Sequence, residues 1–179
     1  MIKVIDNVFD EKEIDFFYGE FRDNMSWAFI GGANDESNWR KFHMFLKKDN
    51  PVHSKLFNKS DELFKKTLPS FSETHKLKSS SEYANAYASG YLYGTHHQIH
   101  TDYQKNTGFT VMFYLNKIWD ISYGGETIFI NDIGDITNSI IPKPARVVIF
   151  DGSVPHAARE VSRICVELRM VATFKYERK

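Results

Sequence analysis

The chain has almost nothing with which to cross-link itself, and no excess of charge. It contains one cysteine, Cys165, so no internal disulfide can form, which fits a reducing compartment. Lys and Arg together number 23, as do Asp and Glu, giving a formal net charge of zero. That balance lacks the long-range attraction used by binders of nucleic acid or anionic membranes. No basic stripe with interleaved aromatics stands out either, so no nucleic-acid partner is expected. No apolar run approaches the roughly 20 residues of a membrane span. The opening MIKVIDNVFDEKEIDFF is broken by charge every few residues, unlike a signal peptide. These absences predict a cytoplasmic protein with no membrane partner. Repeats and low-complexity tracts are also missing, and nothing in the pattern speaks to oligomeric state.

What is present is a globular composition, 42% hydrophobic and 15% aromatic over 179 residues, which suits one domain spanning 1–179. Asp10 followed by Glu13 resembles a capping pair, and Ile14, Phe17 and Phe21 recur at helical spacing, predicting a helix over 11–24. Residues 25–50 show no clean period and read as a long loop or lid. Trp27, Trp39 and Arg40 in it are candidates for substrate contacts. Asn50-Pro51 is a helix start, Leu56, Leu63, Phe64 and Leu68 supply an apolar face, and Pro69 marks the end, predicting a helix over 51–67.

From about residue 76 the texture changes. Tyr83, Tyr87, Tyr91 and Tyr93 all fall at odd positions and share one face if the chain is extended. FTVMFYLN, ETIFI, ARVVIFD and ICVELRMVATFKY follow as short β-branched, aromatic runs bounded by turn residues such as Tyr123-Gly124-Gly125 and Pro142-Lys143-Pro144. The prediction is a mainly β protein with helical support (α+β). About 1–75 would form the helical support and lid region, and about 76–179 a sandwich or barrel of seven or eight strands.

Residues 95–102 read THHQIHTD, three of the seven histidines in eight positions. His96 and His100 have the spacing of a zinc-protease pair, but the glutamate after the first histidine is missing and the setting is not helical. In extended chain His100 and Asp102 point the same way, and His97 should point away. His156 follows the run RVVIFD and a glycine turn. His43, His53 and His75 have no such setting and read as surface or core histidines. His100, Asp102 and His156 would form a two-histidine, one-carboxylate facial triad that leaves three positions of an octahedral ion open and suits iron(II). Arg169, on the final run, is costly on an inward strand face unless an anion pairs with it. A dicarboxylate such as 2-oxoglutarate would chelate the ion at one end and meet Arg169 at the other, with Tyr114 donating to the same carboxylate.

The ordered set YANAY, YGTHHQIHTD, VMFYLNKIWDISYGGETIFI and IPKPARVVIFDGSVPHAAREVSRICVELRMVATFK, over about residues 82 to 177, resembles the iron(II)/2-oxoglutarate-dependent dioxygenases, particularly the prolyl 4-hydroxylase-like branch. The resemblance implies a double-stranded β-helix, or jelly-roll, core. It implies His100, Asp102 and His156 as iron ligands and Arg169 as the 2-oxoglutarate carboxylate binder. Tyr114, Thr127 and either Tyr91 or Tyr93 would line the same pocket, with Tyr93 slightly preferred. His96 and His97 match no ligand position. Many relatives carry the basic residue about ten positions after the distal histidine. Position 166 is a valine here, bracketed by Arg163 and Arg169, and Arg169 is chosen because it sits on the terminal run. Related halogenases lack the carboxylate, so Asp102 favours hydroxylation. The implied cofactors are Fe(II), 2-oxoglutarate and O2, with ascorbate as a candidate addition. The implied reaction is C–H hydroxylation of a peptidyl proline. The alternatives are a free amino acid or other small-molecule substrate, or a non-catalytic jelly-roll binding protein.

Overall fold

In the computed structural model the described residues are 1–30, 41–77, 86–95, 97–105 and 107–179. Trp39, Arg40, Tyr83 and His96, each singled out above, lie outside them. Strand β1 (Ile2–Ile5) leads to α1 (Glu11–Gly19), which opens on a true capping box. Asp10 Oδ1 accepts from the Glu13 backbone N–H at 2.8 Å, and Glu13 Oε2 accepts from the Asp10 N–H at 3.0 Å. A π-helical turn, Glu20–Asn24, completes the predicted 11–24 segment.

Half of the described residues in the expected loop at 25–50 are strand. Strands β2 (Ala28–Ile30) and β3 (Lys41–Phe45) pair with each other, and β3 pairs with a core strand. Trp27, partly buried, packs its ring on the core, and its indole N–H donates to the Phe21 carbonyl at 2.8 Å. Helix α2 (Pro51–Thr67) has the predicted bounds, with Asn50 Oδ1 accepting from the Val52 and His53 N–H groups. Pro69 ends it but also starts a single helical turn, α3 (Pro69–Ser72).

Eight further strands follow: β4 (His75–Leu77), β5 (Ala86–Tyr91), β6 (Gly108–Tyr114), β7 (Thr127–Ile130), β8 (Ile136–Ile140), β9 (Val147–Asp151), β10 (His156–Ala158) and β11 (Arg169–Arg178). The large antiparallel sheet runs β1-β9-β6-β11-β5-β3-β2, with β4 paired to β11, and the small sheet runs β10-β7-β8. This is the mainly β, jelly-roll architecture expected. The final strand is shorter than predicted. Ile164 and Val166 are exposed, the first in a turn closed by the Cys165 N–H donating to the Ser162 carbonyl and the second just after it, so their β-branched side chains do not signal strand.

The period of two along each strand separates two interiors. Val111 and Phe113 of β6, Val147 and Ile149 of β9, and Met170, Ala172, Phe174 and Tyr176 of β11 face the helices and pack with Phe17, Phe21, Leu56 and Phe64. Met112, Tyr114, Val148, Phe150 and Val171 face the small sheet, where they meet Phe129 and Ile140. The second interior holds the site. Among the described residues no helix is long and apolar enough to cross a membrane.

Candidate metal and anion site

The described residues of the stretch THHQIHTD do not form a strand. It touches the small sheet at one isolated bridge, where His100 and His156 exchange both backbone hydrogen bonds at 3.0 and 2.9 Å. That bridge brings the two rings to a centroid separation of 4.4 Å. Each Nδ1 lies 2.9 Å from a backbone carbonyl, Gln98 for His100 and Val154 for His156. A carbonyl only accepts, so each Nδ1 carries the proton and each Nε2 turns to Asp102 as a potential ligand.

Asp102 is fixed next. Its own N–H and that of Tyr103 both donate to the Gly152 carbonyl, in the loop between β9 and β10. Gly152 permits this approach, since an added Cβ would sit 2.5 Å from Tyr103 Cδ2 and 3.3 Å from Asp102 Cβ. Asp102 Oδ1 is 3.6 Å from His100 Nε2, and Oδ2 is 3.7 Å from His156 Nε2. One donor atom from each of the three residues falls within 4.8 Å of the others, close enough for one ion to reach all three.

The electrostatics suit a cation. Burial raises the Asp102 pKa, but His100 and the neighbouring Lys175 ammonium outweigh it and hold the carboxyl well below the usual range. His156 is pushed down to about 4, chiefly by burial, so its imidazole is neutral near pH 7. Two imidazoles and a carboxylate make a mixed nitrogen–oxygen donor set that fits iron(II).

Arg169 lies at the other end of the same pocket and is 1% exposed. Its Nε donates to the Gly125 carbonyl and its Nη2 to Thr127 Oγ1 at 2.9 Å. Tyr114 donates to that same Thr127 oxygen at 2.8 Å. The remaining nitrogen, Nη1, is buried with no hydrogen-bond partner among the described residues. A buried guanidinium with an unused donor, beside a buried tyrosine hydroxyl, is a receptor for a carboxylate. These features fit 2-oxoglutarate on the structure's own terms.

Several sequence expectations are corrected here. Tyr91, not Tyr93, lines the pocket from β5: Tyr91 is 3% exposed with its ring 5.1 Å from the Arg169 guanidinium carbon, whereas Tyr93 is 57% exposed. The strand ends at Tyr91, and the Leu92–Thr95 turn, closed by Thr95 on Leu92, carries Tyr93 outward beneath Arg163. Arg163 is itself exposed in a turn, away from the pocket. His97 does not point away. Its ring sits 4.2 Å from that of His100 in the pocket wall, because strand alternation does not hold across this turn-rich segment.

Among the residues around the site that the sequence reading missed, three matter most. Lys175 and Thr110 both bind Asp102, and Lys41 of β3 lines the wall with its ammonium pushed down to about 8 by burial and by Lys175. Lys175 shares the odd parity of Arg169, so counting along the last strand would have found it. Lys41 arrives from a distant segment, and no local pattern marks it.

A family model for the 2OG-Fe(II) oxygenase superfamily matches residues 84–176. No curated protein matches the chain. Among solved structures, a prolyl hydroxylase from Trichoplax adhaerens, in complex with a hypoxia inducible factor oxygen degradation domain peptide fragment, aligns over 99% of this chain and 83% of its own. Its TM-score is 0.74 and its identity 16%. A Pseudomonas putida prolyl-4-hydroxylase aligns over 99% and 92%, with a TM-score of 0.73 and 15% identity. HygX from Streptomyces hygroscopicus, with nickel, 2-oxoglutarate and hygromycin B bound, aligns over 99% and 83%, with a TM-score of 0.68 and 11% identity. At these identities the likeness establishes a shared fold.

Proposed function

Because the chain belongs to the 2OG-Fe(II) oxygenase superfamily, we propose that His100, Asp102 and His156 hold its iron and that Arg169 anchors its 2-oxoglutarate. The observation that carries this reading is the buried Arg169 with its unused Nη1, in the same pocket as the triad. When bound, iron(II) and 2-oxoglutarate supply the oxygen activation, with 2-oxoglutarate decarboxylated to succinate. The chain's own residues bind and orient. The Nδ1 hydrogen bonds of His100 and His156 lock both rings with Nε2 as the ligating atom. His100 and Lys175 keep Asp102 ionised, and Thr110 fixes its Oδ2 by a hydrogen bond. Tyr114 and Thr127 place Arg169 for the far carboxylate. Phe129 and Phe150, packed 5.0 Å apart, close the wall behind His156 and exclude water.

The leading substrate is a peptidyl proline. A surface groove shares His97 and Ala158 with the pocket and runs along Ile99, Ile128 and Ala157, with Glu126 and Arg159 at its margin. Such a groove suits an extended peptide crossing the mouth. The prolyl hydroxylase fold neighbours support the same choice. A second reading, a small-molecule hydroxylase, is supported by HygX, whose structure holds hygromycin B. Family membership sets aside the non-catalytic alternative. The strands from residues 1–75 share one sheet with the later ones, which supports residues 1–179 acting as one domain. The lone Cys165 supports a cytoplasmic location.

The test is an anaerobic titration of metal-free protein with Fe(II), then 2-oxoglutarate, watching for the weak visible charge-transfer band of an iron–keto-acid chelate. The band should form in the wild type and vanish in His156→Ala. Folded, iron-loaded wild type without the band would overturn the assignment. Proline-containing peptides screened against free amino acids and hygromycin B then separate the two substrate readings.

A further inference from the structure

Asp102 is gripped from two strands at once. Lys175 of β11 and Thr110 of β6 are direct cross-strand partners, and both side chains reach the same carboxylate. Thr110 Oγ1 donates to Oδ2 at 2.6 Å, and the Lys175 ammonium lies 2.8 Å from Oδ1. The Asp102 side chain is 2% exposed. A carboxylate offers about four lone-pair positions; Thr110 takes one on Oδ2, and the ammonium faces Oδ1 as an ion pair, with no hydrogen bond to that oxygen among the described residues. Oδ1 is also the oxygen nearest His100 Nε2, so an ion held by the triad and the ammonium draw on the same group.

Two electrostatic consequences follow. A full positive charge this close to the ligand oxygen opposes the arrival of a dication. The same charge neutralises a carboxylate that would be costly to bury alone. In that same position the Lys175 ammonium also lies 5.5 Å from the centroid of the Tyr87 ring, an attractive distance for a cation over an aromatic face, so the ring helps to hold it beside Asp102.

We infer that Lys175 is a positioning residue that sets the strength of ion binding: it competes with the ion for Asp102 and holds the carboxylate whenever the ion has left. This rests on the reading of His100, Asp102 and His156 as ligands. Removing the charge should therefore tighten the ion while weakening the ion-free protein. A role in merely propping up Asp102 predicts the opposite, a looser ion.

The experiment uses the full chain, stripped with a chelator, as wild type, Lys175→Met, Lys175→Gln and Lys175→Arg. Each is titrated anaerobically with Fe(II) and, as a redox-inert probe, with Mn(II) read by loss of the free ion's paramagnetic resonance signal. The Met and Gln variants should bind Mn(II) at least tenfold more tightly than wild type. They should melt several degrees lower when ion-free, with the gap narrowing once loaded. The Arg variant should stay within about threefold of wild type. Lys175→Gln keeps a stem and a donor, so it carries the test if the Met variant does not fold. Unchanged or weaker Mn(II) binding in the neutral variants overturns the inference. Wild type that binds no more Mn(II) than His156→Ala would instead overturn the ligand assignment itself.

Discussion

The Arg169 guanidinium and the Tyr114 hydroxyl meet on a single oxygen, Thr127 Oγ1, at 2.9 and 2.8 Å. Two of Arg169's three nitrogens are thereby spent on holding it still, and Nη1 is left for a ligand. Arg169→Ala should raise the 2-oxoglutarate Kd by about 100-fold, roughly the worth of a charged hydrogen-bond pair. Iron affinity should stay within a few-fold. Thr127→Val, which removes the Arg169 Nη2 acceptor and the nearer of the two acceptors of Tyr114, should cost about tenfold. Calorimetry with each ligand checks both, and a 2-oxoglutarate affinity indifferent to Arg169 would reject its role.

The tyrosine pair at the end of β5 separates cleanly by burial. Tyr91→Ala opens a cavity beside Arg169 and should cost about 3–5 kcal/mol of stability, with a loss of 2-oxoglutarate binding. Tyr93→Ala removes an exposed ring and should stay within about 0.5 kcal/mol. Urea melts of the two variants give the comparison directly.

Gly125 stands with φ +70°, and an added Cβ would lie 2.9 Å from Arg169 Cδ. Gly125→Ala should therefore cost about 1–3 kcal/mol and weaken 2-oxoglutarate together. Gly134 also has positive φ, at +92°, but an added Cβ there meets nothing within 4 Å. Gly134→Ala should show backbone strain alone, with 2-oxoglutarate binding intact.

His43 on β3 packs 4.8 Å from Phe45 and 5.2 Å from Tyr87, and burial, then Lys41, pushes its pKa down to about 4. The unfolded chain binds this proton near pH 6.5, before the folded chain does. Stability from the neutral ring is thus fully present above about pH 6.5 and is lost as pH falls toward 4. His43→Phe should flatten that limb of the pH–stability curve. Nuclear magnetic resonance of the ring protons should place the wild-type titration near 4. A value near 6.5 would refute the shift.

The parts legible in the sequence were those set by neighbours along the chain. The Asp10–Glu13 box and the Asn50-Pro51 start are local hydrogen-bond devices, and both helices begin where they say. His100 and Asp102 lie two apart, and their convergence needs only an extended backbone. What escaped was set by distant contacts or by a turn. KFHMF becomes β3 only because β5 offers it an edge, with Met44 opposite Ala88. Parity fails for Tyr93 and His97 because the Leu92–Thr95 turn intervenes. The run from Ile164 to Val166 has strand chemistry but no strand to pair with.

Strand β11 turns Arg169, Thr173 and Lys175 toward the pocket and Met170, Ala172, Phe174 and Tyr176 toward the helices. It also pairs with β5 on one side and β6 on the other. A single residue inserted or deleted within it would exchange these two sets, putting lysine and arginine into the apolar core and phenylalanine over the triad. Length changes in this strand should then be lethal to fold and site alike. New specificities on this scaffold would have to arise by substitution here, or by insertion in the loops at the pocket mouth.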